Sequence, residues 1–451
     1  MGKAKNLSVL MNGAPVGWLA RSAKGIVSFG YDENWLSDRN RRPLSLSLSL
    51  PLTAQVYSGD RVENYFDNLL PDNMTLRNRL QAKVGASSTR AFDLLFHIGR
   101  DCVGAVQLVP EGETPNVKMV TADRVDEAQI ETILKSYAAM PLGVDIDADF
   151  RLSVAGAQEK TAFLRMQNGW YRPSGATPTS HIFKLPMGRL GQTGLDLSGS
   201  VENEWLCQKL LGAFGMSAAD TRMANFGSQK VLVVKRFDRR WSSGSTWLIR
   251  LPQEDICQAT GTPSALKYEA DGGPDMTAVM DLLLGSDKAH EDRTTFMTSQ
   301  LLFWMLGAID GHAKNFSIFL RPGSRFHLTP LYDVISIYPL ARAGQISMHK
   351  VKMAMAVSGK NRHYRWNSIT RRHWLDTAKK CRYPEDEMKQ IIEKCCDMAQ
   401  GCIDQVSDAM PPGFSEQISA AIFSGIHQAR ERLINNKKGS RLPGNECNHR
   451  L

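Results

Sequence analysis

The sequence predicts an α+β chain, β-rich in its N-terminal part and mainly α in its C-terminal lobe, and three observations carry that reading. Leu44, Ser45, Leu46, Ser47, Leu48, Ser49 and Leu50 alternate with period two, the pattern of a strand with one buried and one wet face. Short β-branched runs between Phe150 and Leu251 surround a single clear helix, which suits a mixed sheet layer. Beyond Leu251 the apolar spacing turns helical and stays so to Asn435.

In chain order, residues 1–115 read as a β-rich unit. It holds the strand bracketed by Pro43 and Pro51, a helix over Asp72 to Ala82, and a return to strand from Gly99 to Pro110 before the Glu111 to Pro115 break. Residues 116–251 read as a connector with a helix over Asp123 to Leu134, then a smaller lobe. Its strands are expected at Thr161 to Arg165, His181 to Leu185 and Val231 to Val234, with a helix from Glu202 to Phe214. Residues 252–435 are expected to be helical at Met276 to Leu284, Arg293 to Ile309, Trp374 to Cys381, Pro384 to Met398 and Glu416 to Asn435. The polar, Gly/Pro-containing stretch 436–451 is expected to be a disordered tail.

Composition narrows the function classes. A chain of 451 residues that is 42% hydrophobic can bury a full core. No run approaches 18 uninterrupted apolar residues and the first residues lack a signal-peptide pattern, so no membrane role and a cytoplasmic location are expected. Eight irregularly placed cysteines argue against a disulfide scaffold. Net charge is +9, yet Arg342 to Arg382 alone holds eleven Lys/Arg against one Asp, so the remainder is close to neutral. So lopsided a run is either a solvated face or the footprint of a polyanion.

The stretch Ala308, Ile309, Asp310, Gly311, His312, Ala313, Lys314, Asn315 and Phe316, followed by Leu331, Tyr332 and Asp333, is the most informative. Asp310 and Asn315 have the D-x-x-x-x-N spacing of a protein-kinase catalytic loop, where the carboxylate takes a hydroxyl proton and the amide oxygen joins a second carboxylate on Mg²⁺. Asp310, Asn315 and Asp333 supply that set. The alternative is a helix C-terminus at Asp310 and Gly311 with Asn315 as a loop hydrogen bonder.

Lys184 stands in His181, Ile182, Phe183, Lys184, Leu185, Pro186, where an ammonium amid apolar neighbours is costly unless it meets an anion such as ATP phosphate. Glu202 and Glu204 open the next helix about twenty residues on, either as its partner or as first-turn acids. Ala155, Gly156 and Ala157 lie in a small-residue loop whose N–H groups could approach phosphates, although a plain β-turn fits as well. It is not a Walker A loop, since Glu159 stands where a Gly is required.

Ser153 to Thr161, the Lys184 strand, Val234 to Arg240, Leu251 to Asp255, Asp310 to Asn315, the Pro43 to Leu48 strand and the Phe66 to Asp72 turn together resemble the HipA family of toxin kinases, over nearly the whole chain. The resemblance implies a two-lobed kinase-like fold related to phosphatidylinositol kinases, with ATP and Mg²⁺ as cofactors. It makes Asp310 the catalytic base and Asn315 and Asp333 the metal ligands. The ATP-binding set it implies is Ala155, Gly156, Ala157, Gln158, Glu159, Lys160, Lys184, Lys235, Arg236, Phe237, His312, Ala313, Lys314, Asn315, Tyr332 and Asp333. Lys235 stands where the family pattern carries an acid, and the H-R-D and D-F-G triplets of other kinases are absent.

Ser153 matches the serine that such kinases autophosphorylate, and a dianion beside bound triphosphate would repel it. The resemblance also implies a HipB-like helix-turn-helix antitoxin, operator DNA bound through that complex near Lys379 and Arg382, and a protein substrate such as glutamyl-tRNA synthetase. Two other readings share the fold: a pseudokinase acting only as a DNA-bound corepressor, and a lipid or small-molecule kinase.

Overall fold

The structure is a computed structural model that describes residues 5–49, 56–139, 160–167, 169–189 and 194–435. The chain opens with an antiparallel five-stranded sheet whose spatial order is Val56–Ser58, Val27–Tyr31, Ala14–Arg21, Lys5–Met11, Val106–Pro110. Asn12 and Gly13, both at positive φ, make the tight turn that joins the first two strands with the twist a hairpin needs. Leu7, Val9, Val16, Leu19 and Phe29 face inward against helices Asp60–Asp67, Met74–Val84 and Ala91–Ile98, which bring Val62, Phe66, Leu80 and Leu95 to the same core.

The alternating Leu/Ser segment is not a strand. Leu44 to Ser49 form a turn held by one bridge between Ser45 and Leu48, and Leu50 falls outside the described residues. Serine is the reason: its hydroxyl bonds nearby backbone and so competes with a ladder. Ser45 Oγ reaches Ser47 N at 3.1 Å, while Ser47 Oγ donates to the Gln258 carbonyl at 2.7 Å and Leu46 N to Glu254 Oε1 at 2.8 Å. The period-two pattern thus buries Leu44 and Leu48 and spends its serines on docking the first unit against the C-terminal half.

A second, six-stranded antiparallel sheet follows, ordered Thr221–Phe226, Gln229–Lys235, His181–Lys184, Lys160–Met166, Gly169–Pro173, Ala122–Val125. The segment expected to be helical from Asp123 begins instead as the edge strand Ala122–Val125, and the helix runs Glu127–Ala139. Asp126 caps it by accepting from Gln129 N at 2.8 Å, so the cap and not the apolar spacing sets its start. Phe163, Trp170, Phe183 and Phe226 pack one face of this sheet with Ile130 and Leu134 of helix Glu127–Ala139, and helix Ser200–Ala213 packs with Leu232 and Val234 on the other. The expected Gly99 to Pro110 strand is confined to Val106–Pro110, because Asp101 and Cys102 are diverted into a buried charge cluster.

That cluster ties the first unit to the second. Asp101 meets Arg239 at 2.8 Å, Arg236 at 3.4 Å and Arg250 at 3.5 Å, and Asp238 pairs with Arg236 and Arg239 at 2.9 Å each. All five side chains are buried.

The C-terminal half is mainly α, built around Ala289–Leu306, Glu385–Asp408 and Glu416–Ile434, with Arg371–Lys380 beside them. Trp304 and Trp366 bond reciprocally, each indole N–H to the other's carbonyl at 3.0 and 2.7 Å. Helix Glu385–Asp408 runs well past Met398, where the expected helix stopped. The half also carries a three-stranded sheet, Gln253–Asp255, Ser317–Arg321 and Arg325–Leu328, and a hairpin, Lys352–Ser358 and Arg362–Arg365. The expected tail 436–451 lies outside the described residues.

Candidate active site

Helix Ala289–Leu306 is terminated by Gly307, whose φ of 63° lets the Gly307 and Ala308 N–H groups turn back onto carbonyls of the last turn. The chain beyond it forms a tight loop: His312 N bonds the Asp310 carbonyl at 2.8 Å and Asn315 N the His312 carbonyl at 2.9 Å. Asn315 Nδ2 also donates to the Asp310 carbonyl at 2.8 Å. The amide is thereby oriented, and its Oδ1 is not used in that bond. The Asp310 carboxylate is 63% exposed at the mouth of a cavity of about 230 Å³.

Into the same cavity the six-stranded sheet sends Lys184. Its Nζ lies 2.7 Å from Glu204 Oε1 and 2.7 Å from Asp333 Oδ1. Burial alone would lower the Lys184 pKa, but the two carboxylates outweigh it and hold the ammonium charged above the ordinary lysine value. Burial likewise works against Asp333, yet Lys184 and Lys160 keep it well below the usual carboxylate range, whereas burial raises Glu204. Asp333 sits at a φ of 61°, a conformation uncommon for a residue with a side chain and one that clusters at functional sites. Glu202 is not the partner of Lys184; it pairs with Lys230 at 2.5 Å.

Lys160 is buried beside this group, and desolvation lowers its pKa to about 8. His312 is buried with its Nδ1 making no hydrogen bond among the described residues, and desolvation lowers its pKa. Ile182, Val234, Phe237 and Tyr332 give the cavity an apolar wall, with the Phe237 and Tyr332 rings 5.7 Å apart. Ala313 is buried within the loop. Lys235 reaches the cavity rim and is exposed, while the Arg236 guanidinium is committed to Asp101, Asp238, Thr179 and the Cys102 carbonyl. Ser153, Ala155, Gly156, Ala157, Gln158 and Glu159 lie outside the described residues.

The donor set fits magnesium and a nucleotide. Hard oxygen ligands, an oriented amide and a carboxylate held ionised, suit Mg²⁺, and buried ammonium groups facing an apolar wall suit a polyphosphate joined to a flat ring.

The family profile described as the HipA-like C-terminal domain matches residues 152–403, and that of the HipA N-terminal domain matches residues 7–109. The chain belongs to the HipA family. Two relatives from Sinorhizobium fredii are "Putative kinase Y4mE", 33% identical over 73% of this chain and 77% of its own length, and "Putative kinase Y4dM", 28% identical over 75% and 79%. The solved HipA of Shewanella oneidensis MR-1, from a complex with HipB and operator DNA, covers 95% of this chain and 97% of its own with a TM-score of 0.77 at 23% identity. The α+β architecture is thus the HipA fold.

Within this chain the cavity recruits residues that motif spacing did not single out. Asn68 and Asp72 come from the N-terminal sheet unit. Asp72 takes Lys314 Nζ at 2.6 Å and Lys267 Nζ at 2.9 Å, and its carboxyl stays below the usual range because the two lysines outweigh its burial. Lys314 is therefore held by a carboxylate of the N-terminal unit. The Phe66 to Asp72 run was legible as a turn, but its contact with Lys314, 242 positions on, leaves no local sequence signal. Of the basic segment, Arg362, Arg371 and Arg382 pair with Glu269, Glu393 and Asp281 from outside it, so part of its excess charge is compensated in space; Lys379 is exposed.

Proposed function

We propose that this chain is a protein serine/threonine kinase that transfers the γ-phosphate of ATP to a protein hydroxyl, within a two-lobed, phosphatidylinositol-kinase-like arrangement. The observation that carries the reading is the convergence of Asp310, Asn315, Asp333 and the Lys184–Glu204 pair on one cavity. Lys184, kept charged between two acids, holds phosphate oxygens, and Lys160 beside it adds a second ammonium. Asn315 and Asp333 would hold Mg²⁺, which when bound neutralises charge on the transferring phosphoryl group. Asp310, exposed at the mouth, accepts the proton of an incoming hydroxyl. Phe237 and Tyr332 enclose the base.

The rest of the reading is supported by the family and by the assembly named for the Shewanella structure. A HipB-like antitoxin would hold the chain on operator DNA, with Lys379 and Arg382 at the backbone, in the cytoplasm. Ser153 would be an inactivating autophosphorylation site, and growth arrest would follow from modifying translation machinery such as glutamyl-tRNA synthetase. The units proposed for these roles are 1–115, 116–251 and 252–435.

The test is incubation of the purified chain with labelled ATP, Mg²⁺ and a cell lysate, wild type beside Asp310→Gln. The wild type should label a protein on serine or threonine and the variant should not. Equal labelling by both, or none by the wild type, overturns the reading.

A further inference from the structure

The hydroxyl of Tyr268 donates to Asp310 Oδ1 at 2.7 Å. Several contacts hold this tyrosine in place. Its carbonyl accepts from Gly273 N at 2.9 Å and Asp271 N at 3.1 Å, and the preceding carbonyl, of Lys267, accepts from Ala313 N inside the catalytic loop at 3.3 Å. The loop depends on close backbone approach: a Cβ at Gly273 would fall 2.0 Å from the Leu266 carbonyl oxygen. The neighbouring Lys267 is anchored on Asp72, and its ammonium stands 5.4 Å from the Tyr268 ring centroid. On another side the ring meets buried His312 edge to face, centroids 5.0 Å apart. The following residue, Glu269, is buried and accepts from Ala356 N at 2.7 Å.

Such a tyrosine is a rigid donor, since an aromatic side chain has only two χ angles to fix and here both backbone and ring are held. Burial, with Asp310 next, raises its pKa above the ordinary tyrosine value, so it remains a neutral donor throughout the physiological range. Asp310 needs such a partner. Its carboxylate is mostly exposed, and in water an aspartate visits several rotamers, only some of which face an incoming hydroxyl. Tyr268 occupies Oδ1 alone. Oδ2 stands 4.0 Å from His312 Nε2, beyond hydrogen-bond range.

We propose that Tyr268 is a positioning residue for phosphoryl transfer: by binding Oδ1 of Asp310 it fixes the carboxylate so that Oδ2 faces the acceptor hydroxyl. The inference rests on the kinase reading above. The N-terminal unit adjoins this loop, since Asp72 pairs with Lys267, the residue before Tyr268.

Tyr268→Phe removes the hydroxyl and keeps the ring. In the lysate assay, or with an acceptor protein identified by it, kcat should fall about 10- to 10²-fold. The KM for ATP, the affinity for ATP measured directly, and the unfolding midpoint should stay at their wild-type values. An unchanged kcat overturns the proposal and leaves the kinase reading standing. A fall in ATP affinity or unfolding midpoint together with kcat overturns it in favour of a packing role. A wild type that transfers no phosphate overturns both.

Discussion

Lys184 Nζ and Asp333 Oδ1 stand 2.7 Å apart although 149 positions separate them in the chain. The contact places an ammonium of the six-stranded sheet against a carboxylate proposed to hold magnesium, and Glu204 also binds that ammonium. Asp333 can therefore turn to a metal without leaving Lys184 unpaired in a buried site.

Glu204→Gln should expose that dependence. With Glu204 neutral, Lys184 keeps Asp333 as its ionic partner and competes with Mg²⁺ for it. Phosphoryl transfer should fall about 10²-fold and need more Mg²⁺ to reach half its maximum, read from activity against Mg²⁺ concentration. A half-maximal Mg²⁺ concentration equal to that of the wild type would rule the competition out.

The Asp101 cluster is a stability prediction. Asp101→Asn leaves Arg236, Arg239 and Arg250 with Asp238 as the remaining carboxylate of the cluster, and all three arginines are buried. Breaking a buried ionic network by removing one member costs about 3–5 kcal/mol. Urea unfolding should show a loss of that size, and a loss below about 1 kcal/mol, the scale of an exposed pair, would mean that the cluster does not hold the two units together.

Glu254 sets a pH dependence. It is fully buried, with Oε1 on Leu46 N and Oε2 making no hydrogen bond among the described residues, and desolvation raises its pKa to about 8. In the unfolded chain a glutamate releases its proton near pH 4.3. The stabilising contribution is therefore complete below that pH and is lost as pH rises to about 8, because over this window the folded state binds the proton more tightly. Glu254→Gln, permanently neutral, should lose less stability than the wild type between pH 5 and pH 8, with the difference growing by up to about 1.4 kcal/mol per pH unit. Parallel thermal-unfolding curves across that range would contradict the assignment.

The proposed DNA face can be separated by salt. Lys379 is exposed, whereas Arg382 already has Asp281 at 2.5 Å. Each phosphate contact contributes about 0.9 to the slope of log affinity against log salt. In a complex with a HipB-like antitoxin on operator DNA, Lys379→Ala should flatten the slope by about that amount and Arg382→Ala by less, because Arg382 gives up an existing partner on binding. Equal slopes for wild type and Lys379→Ala would remove that residue from the DNA face.

Much of this protein could be read from its residues in order. Local spacing was enough for the D-x-x-x-x-N loop, for a lysine amid apolar neighbours at 184, and for most helices of the second half, because helix periodicity, caps and short motifs are properties of neighbours in sequence. The same local reading misjudged Leu44 to Ser49, where serine hydroxyls bonded backbone in place of a ladder, and the start of the helix after Ala122–Val125, where a cap at Asp126 decided the boundary.

Tertiary structure alone decided between Glu202 and Glu204 as the partner of Lys184, since both lie on the first turns of one helix and its packing turned only Glu204 to the cavity. It alone brought Asp72 to Lys314 and Tyr268 to Asp310. Those pairings join segments distant in the chain, and ion pairs and hydrogen bonds depend on separation in space, which no spacing along the sequence encodes.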